Sequence, residues 1–256
     1  MNRFEGKNVL ITGASAGIGQ AAAVRFVAEG ATVFGLARNV EGLKETSTLV
    51  EDPGRFAFHL VDLADDDAII EGVQAAAERL DGRIDVVCNI AGVTLKTPID
   101  DLDMDRVHAI TQINFFGPMR LISAALPHVP AGGGSSVINV SSVSATQAVP
   151  SMGAYAGSKA ALVSLSLTLA IELAPRRIRV VAISPSGVKT QMMWQIWEQV
   201  KDYPGDWYSR LLHPWGQEHS GDAADMAGFI AFAASDEASY WNGSEIRLDG
   251  GARASF

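Results

Sequence analysis

NVLITGASAGIG, residues 8–19, reads as a buried strand that ends in a glycine turn and opens a helix. Asn8 to Thr12 is rich in aliphatic and β-branched side chains, and a helical pattern then runs from Ile18 to Glu29. Gly13, Gly17 and Gly19 lie between the two in a G-x-x-x-G-x-G spacing. Glycines at such a turn let the backbone bend tightly and approach a pyrophosphate, while the free N–H groups at the helix start attract its negative charge. Ser15 and Ile18 belong to the same candidate cradle. The spacing differs from the commoner G-x-G-x-x-G, and a tight loop with no ligand has a similar composition.

Outward from this turn the pattern repeats. TVFGLA (32–37) is strand-like, a helix follows Asn39, RFAFHLV (55–61) is strand-like, a helix runs from Asp66 to Leu80, and IDVVC (84–88) is strand-like again. Strands alternating with helices imply an α/β fold, a parallel sheet with helices on both faces. No linker rich in Pro, Gly or Ser divides the chain, so residues 1–256 are expected to form a single domain.

The composition narrows the partners. With 256 residues, of which 48% are hydrophobic, the chain can build a large core. A formal net charge of −9 without a basic cluster argues against nucleic acid or an anionic membrane surface. The single Cys88 has no disulfide partner and sits in an apolar run, which fits a buried thiol in a reducing compartment. The N-terminus enters a strand pattern at once, without the layout of an export signal, and the apolar run from Ala160 to Ala174 is short for a bilayer span. A soluble, cytoplasmic protein is expected.

Three later strand ends face the same side of the expected sheet as the glycine turn. In VFGLARN (33–39), Arg38 stands where an acidic residue would bind a ribose 2′-hydroxyl. An arginine there suits a 2′-phosphate, so NADP(H) is expected rather than NAD(H), unless Arg38 only points into solvent. In VDLAD (61–65), Asp62 and Leu63 are placed to bracket an adenine, although Asp62 also suits a helix cap. NIAG, Asn89 to Gly92 with Ala91 between them, is another small-residue turn.

The chemistry points elsewhere. Tyr155 and Lys159 lie four apart at the start of a long helical pattern, so their side chains share one face. A nearby ammonium is expected to lower the phenol pKa towards the range of a working general acid/base. SSVINVSS (135–142) brings Ser142 to the same point, as a hydroxyl able to hold a substrate oxygen.

Taken in order, TGASAGIG, NIAG, Asn114 in QINFFGP, Ser142 thirteen residues before Tyr155, and Lys159 resemble the short-chain dehydrogenase/reductase family in its ~250-residue form. The resemblance runs from Lys7 to about Gly251 and implies a Rossmann-type, doubly wound parallel sheet of about seven strands. It gives Ser142 the role of orienting the substrate oxygen, Tyr155 that of proton transfer, and Lys159 those of lowering the tyrosine pKa and binding the nicotinamide ribose. Asn114 matches the asparagine that holds a water linking the lysine to solvent. After the sixth strand, Pro185, Val188 and Thr190 match a loop that contacts the nicotinamide. Two positions depart from the family pattern: Ile90 replaces a frequent second asparagine, and Ser186 replaces a glycine.

From Gln191 to His219 the alternation stops in a segment rich in Met and aromatics. The resemblance makes the stretch from about 189 to 219 a mobile cover over a small-molecule substrate with an apolar body. A Met and Trp stripe, with Trp194 and Trp197 three apart, equally suits packing on the core or on another subunit. His213 and His219 lack companions at ligand spacing, so no metal is expected. The resemblance also implies a homotetramer. Two further readings compete with a ketone/alcohol oxidoreductase. One is reduction of 3-oxoacyl chains on a carrier, for which Arg176 and Arg177 are the adjacent basic pair; the other is a nucleotide-binding scaffold without chemistry.

Overall fold

A computed structural model of the chain describes residues 2–204 and 220–252. Seven parallel strands form one sheet in the order β3-β2-β1-β4-β5-β6-β7: β1 (Asn8–Thr12), β2 (Thr32–Ala37), β3 (Phe56–Leu60), β4 (Val86–Asn89), β5 (Ser135–Val140), β6 (Ile178–Pro185) and β7 (Ser244–Leu248). Every residue of β4 and β5 is buried, as expected for central strands covered by helices on both faces. The strand order reverses between β1 and β4, which pair directly from Val9 with Val86 to Thr12 with Asn89. Crossovers leave this point in opposite directions, so a crevice opens at the carboxyl ends of these strands.

Among the described residues there are eight α-helices: α1 (Gly17–Ala28), α2 (Val40–Leu49), α3 (Asp66–Arg79), α4 (Met104–Thr111), α5 (Gly117–Ala125), α6 (Gly153–Glu172), α7 (Gln191–Val200) and α8 (Ala223–Ala234). One core, around Ile11, Phe26, Val33 and Ile230, lies beneath α1 and α8. The other, around Leu10, Leu36, Ile69, Leu121 and Val180, lies beneath α3, α5 and α6. Polar caps start several of these helices. The Asn39, Asp65 and Asp103 side chains accept from backbone N–H groups of the first turns of α2, α3 and α4, and Asp222 forms a capping box with Asp225 at α8.

The helical stretch around Ile110 to Leu126 is not one regular helix. Between α4 and α5 the residues Gln112–Phe116 form a π turn, closed where Gly117 N–H reaches the Gln112 carbonyl. Pro118, which has no N–H to give, falls in the first turn of α5. The wide turn buries Asn114. By length and composition α6 could cross a bilayer, because it begins seven residues before the apolar run read from the sequence. In this fold it lies against β5 and β6 instead, and it carries Tyr155 and Lys159.

Candidate active site

The carboxyl ends of the strands enclose a cavity of about 510 Å³, lined at one end by the glycine turn and at the other by Ser142, Tyr155 and Lys159. A cavity of this size is in the range that takes a cofactor or a small molecule. Gly13 has a φ of +76°, and a Cβ built on it would lie 2.9 Å from the Ala91 Cα, so only glycine lets the turn close against the NIAG segment. Thr12 fixes that closure, since its hydroxyl accepts from Ile90 N–H at 3.1 Å and Ala91 N–H at 3.2 Å. The helix that follows is left open. Ala16 at its N-cap offers no side-chain acceptor, and there is no acidic residue in the first turn of α1. The uncapped N–H groups of α1, beside a backbone with no Cβ in the way, fit a pyrophosphate.

Gly13, Ser15, Gly17, Ile18, Gly19, Arg38, Asp62, Leu63, Ala91 and Gly92 all line this cavity, as do Pro185, Val188 and Thr190. Arg38 and Asp62 face each other across the mouth, Nη1 to Oδ2 at 3.4 Å, with both side chains well exposed. Asp62 also accepts from Ala64 N–H at 2.9 Å, whereas the cap of α3 is Asp65. Val188 pairs with Gly221, and Lys189 N–H donates to the Gly221 carbonyl at 2.9 Å, which anchors the loop containing Ser186.

Tyr155 and Lys159 project from the first two turns of α6 and are 5% and 3% exposed, although one carries a hydroxyl and the other an ammonium. Lys159 Nζ donates to the Val140 carbonyl at 2.8 Å, and burial pulls its pKa down to about 8. The phenol does not follow the sequence expectation. Burial pushes the Tyr155 pKa above its ordinary value, and the opposing influence is the hydrogen bond with the Ser142 hydroxyl rather than Lys159. The lysine hydrogen-bonds to the strand carbonyl, and desolvation of a buried phenol outweighs the single bond from serine.

A web of small hydroxyls holds the trio. Ser141 Oγ donates to the Lys159 carbonyl at 2.8 Å, and Ser158 Oγ donates to the Tyr155 carbonyl at 2.7 Å. Asn114 donates to Ser158 Oγ at 3.1 Å and to the Val93 carbonyl at 2.9 Å, while its Oδ1 accepts from Val93 N–H at 2.8 Å. A Cβ at Gly92 would stand 3.2 Å from Lys159 Nζ and 3.3 Å from Asn114 Oδ1, so both groups close on one backbone point.

One sequence expectation requires correction. Asn89 does not reach the cavity: it pairs with Asn139 across β4 and β5, and its Nδ2 donates to Asn139 Oδ1 at 2.9 Å inside the sheet. Asn114, for which the resemblance implies a water beside the lysine, is not itself part of the cavity lining; it meets Lys159 at Gly92, and its side chain is held by Val93 and Ser158. On α7 the inward face is not the Trp194–Trp197 pair. Trp194 is 60% exposed, while Val200 and Ile196, four apart, join Ile110, Met152 and Tyr155 in an apolar cluster.

Val93, Val149 and Met152, which sequence reasoning missed, line the end beyond Tyr155 together with Met192, Met193 and Ile196 of the segment expected to cover the substrate. A helical period of four from Met192 to Ile196 to Val200 was the available signal. Residues 205–219 of the expected cover, with His213 and His219, lie outside the described residues. Among the described residues no three His, Cys, Asp or Glu side chains gather where they could hold a metal ion.

The family model described as enoyl-(acyl carrier protein) reductase matches residues 13–253. The chain belongs to the short-chain dehydrogenase/reductase family and is an oxidoreductase of CH–OH and C=O groups. It is 35% identical to a 3-oxoacyl-(acyl-carrier-protein) reductase of Thermotoga maritima over 97% of this chain and 98% of that protein. It is also 32% identical to a D-threitol dehydrogenase of Mycolicibacterium smegmatis, over 97% and 94% of the two chains. Among solved structures it resembles a short-chain dehydrogenase of Burkholderia cenocepacia in complex with NADP, with a TM-score of 0.87, 31% identity, and coverage of 98% and 100%.

Proposed function

We propose that this chain interconverts a ketone and a secondary alcohol on a substrate with a sizeable apolar body, using NADP(H). The observation that carries the reading is one cavity joining an uncapped, glycine-lined helix start to a buried Ser142, Tyr155 and Lys159, with Val93, Val149, Met152, Met192, Met193 and Ile196 as walls beyond the tyrosine. When bound there, the nicotinamide supplies or takes the hydride. In the reducing direction Ser142 holds the carbonyl oxygen and Tyr155 delivers the proton that completes the alcohol. Lys159 would hold the ribose of the bound nucleotide, and its ammonium would supply positive charge near the phenol as its proton leaves. The raised phenol pKa favours the protonated, proton-giving form at neutral pH.

Arg38 supports the choice of NADP(H). Its guanidinium stands 60% exposed at the mouth, with the solvent-screened Asp62 as its ion-pair partner among the described residues, placed to turn onto a 2′-phosphate. The Burkholderia structure with NADP supports the same cofactor class. Carrier-bound acyl chains remain the competing substrate, since the Thermotoga relative is named for them. The adjacent basic pair gives that reading no help. Arg176 and Arg177 precede β6, at the amino ends of the strands, and Arg176 donates to the Leu126 and Val129 carbonyls. The test is to titrate the protein with NADPH and NADH and to assay both with a series of free apolar ketones and a carrier-bound 3-oxoacyl chain. Tight NADPH binding and turnover of free ketones are expected; NADH preference, or turnover of the carrier-bound chain alone, would overturn the assignment. We also propose a cytoplasmic homo-oligomer, for which the buried Cys88 thiol, pushed far up by burial, and the apolar outer face of α6 speak.

A further inference from the structure

The cofactor end of the cavity is built from three separate pieces of chain: the glycine turn, the first turns of α1, and the start of α2 next to Arg38. A single buried side chain touches all three. Thr46, on the second turn of α2, is wholly inaccessible to solvent. Its Oγ1 lies 2.7 Å from the Ala14 carbonyl in the glycine turn and 2.9 Å from the Gly42 carbonyl of its own helix, and it accepts from Gln20 Nε2 of α1 at 3.2 Å. The hydroxyl has one proton, and the shorter contact gives it to Ala14. The bond is more than a helical threonine turning back on its own backbone, for which Gly42 alone would suffice.

The surroundings show that this junction is tight. A Cβ at Gly42 would collide with the Ser15 carbonyl, so the first turn of α2 rests directly on the glycine turn. Asn39, which caps α2 through Glu41 N–H and Gly42 N–H, adjoins Arg38, and both line the cavity. The glycine turn is tied to β2 by Gly13 N–H donating to the Leu36 carbonyl at 2.8 Å, but between Ala14 and α2 the hydroxyl of Thr46 is the side-chain link. We infer that Thr46 is a positioning residue for dinucleotide binding. By holding the Ala14 carbonyl and α2 together, it sets where the N–H groups of the glycine turn stand relative to Arg38. It touches neither the cofactor nor the reacting atoms, so its loss acts on binding and leaves the chemical step alone.

This inference rests on reading the glycine turn as the dinucleotide cradle, and the experiment separates the two. Wild type, Thr46→Val, which keeps the shape and removes the hydroxyl, and Thr46→Ser, which keeps the hydroxyl, are titrated with NADPH and with NADH by nucleotide fluorescence. Turnover is measured at saturating cofactor, and thermal unfolding is followed alongside. In the valine variant Kd for the preferred nucleotide should rise about tenfold, with kcat unchanged, and serine should restore most of the affinity. Where valine does not give folded protein, Thr46→Ala gives the same reading. Affinity within about twofold of wild type in folded valine or alanine protein, or a serine variant as weak as valine, overturns the role of the hydroxyl. Failure of the wild type to bind either nucleotide would instead overturn the cradle.

Discussion

Lys159 is a lysine buried without an acidic partner among the described residues, and that placement costs stability. Its pKa falls from the ordinary 10.5 to about 8 on folding. Below about pH 8 the folded protein carries the full penalty of a buried ammonium. Between about 8 and 10.5 the unfolded chain holds a proton that the folded chain gives up, so this group makes stability rise with pH across that window. The shift corresponds to about 3 kcal/mol at most. Replacing the lysine leaves the Val140 carbonyl without its donor, which returns about 1–2 kcal/mol. Lys159→Met should therefore abolish turnover yet stabilise the protein by about 1–2 kcal/mol at pH 7 in urea unfolding, with the gain shrinking towards pH 10. A loss of stability at pH 7 would show that the amine is paid for by contacts other than the one at Val140. The spacing of Tyr155 and Lys159 was plain in the sequence, whereas the directions of their pKa shifts were not. Those depend on burial and on which acceptor the amine finds, and neither is written in a four-residue interval.

At the level of elements, α6 has two faces with different tasks. Tyr155, Lys159, Leu162 and Ser166 turn inward, while Leu167 and Ile171 are 41% and 78% exposed. Phe116 and Met119, near the start of α5, are exposed as well. Apolar side chains left in water along neighbouring helices favour cover by a second copy of the chain. Light scattering should report more than one chain per particle, and Ile171→Asp should shift the population towards single chains without disturbing the inward face. A single-chain mass for the wild type would remove the oligomer. The all-round apolarity of this helix was legible in the sequence and is explained by the two faces. The break between α4 and α5 was less legible, because a π turn needs only Gly117 and Pro118 in the right place and leaves the hydrophobic pattern nearly intact. Asn89 misled for a related reason: a polar residue at a strand end reads as facing the ligand, and its actual partner, Asn139, is fifty residues away on the next strand.

For the molecule as a whole, the parallel order of the sheet does the sorting. Every strand presents its carboxyl end to the same side, so the glycine turn, Arg38, Asp62, the NIAG turn, Ser142 and Pro185 meet there although they span more than half the sequence. The alternation of strands and helices was enough to place them on one side, which is why so much of the cavity lining could be read from the chain. The apolar walls beyond Tyr155 were legible only in part: the period of four from Met192 to Val200 falls in the segment read as a cover, whereas Val93, Val149 and Met152 come from loops whose packing no period fixes. The central claim is that Tyr155 moves the proton in a cavity whose other end binds NADPH. It is tested most directly by measuring NADPH affinity and ketone turnover side by side in wild type and Tyr155→Phe. The predicted result is nucleotide binding little changed and turnover reduced at least about a hundredfold. A phenylalanine variant that turns over at the wild-type rate would contradict it.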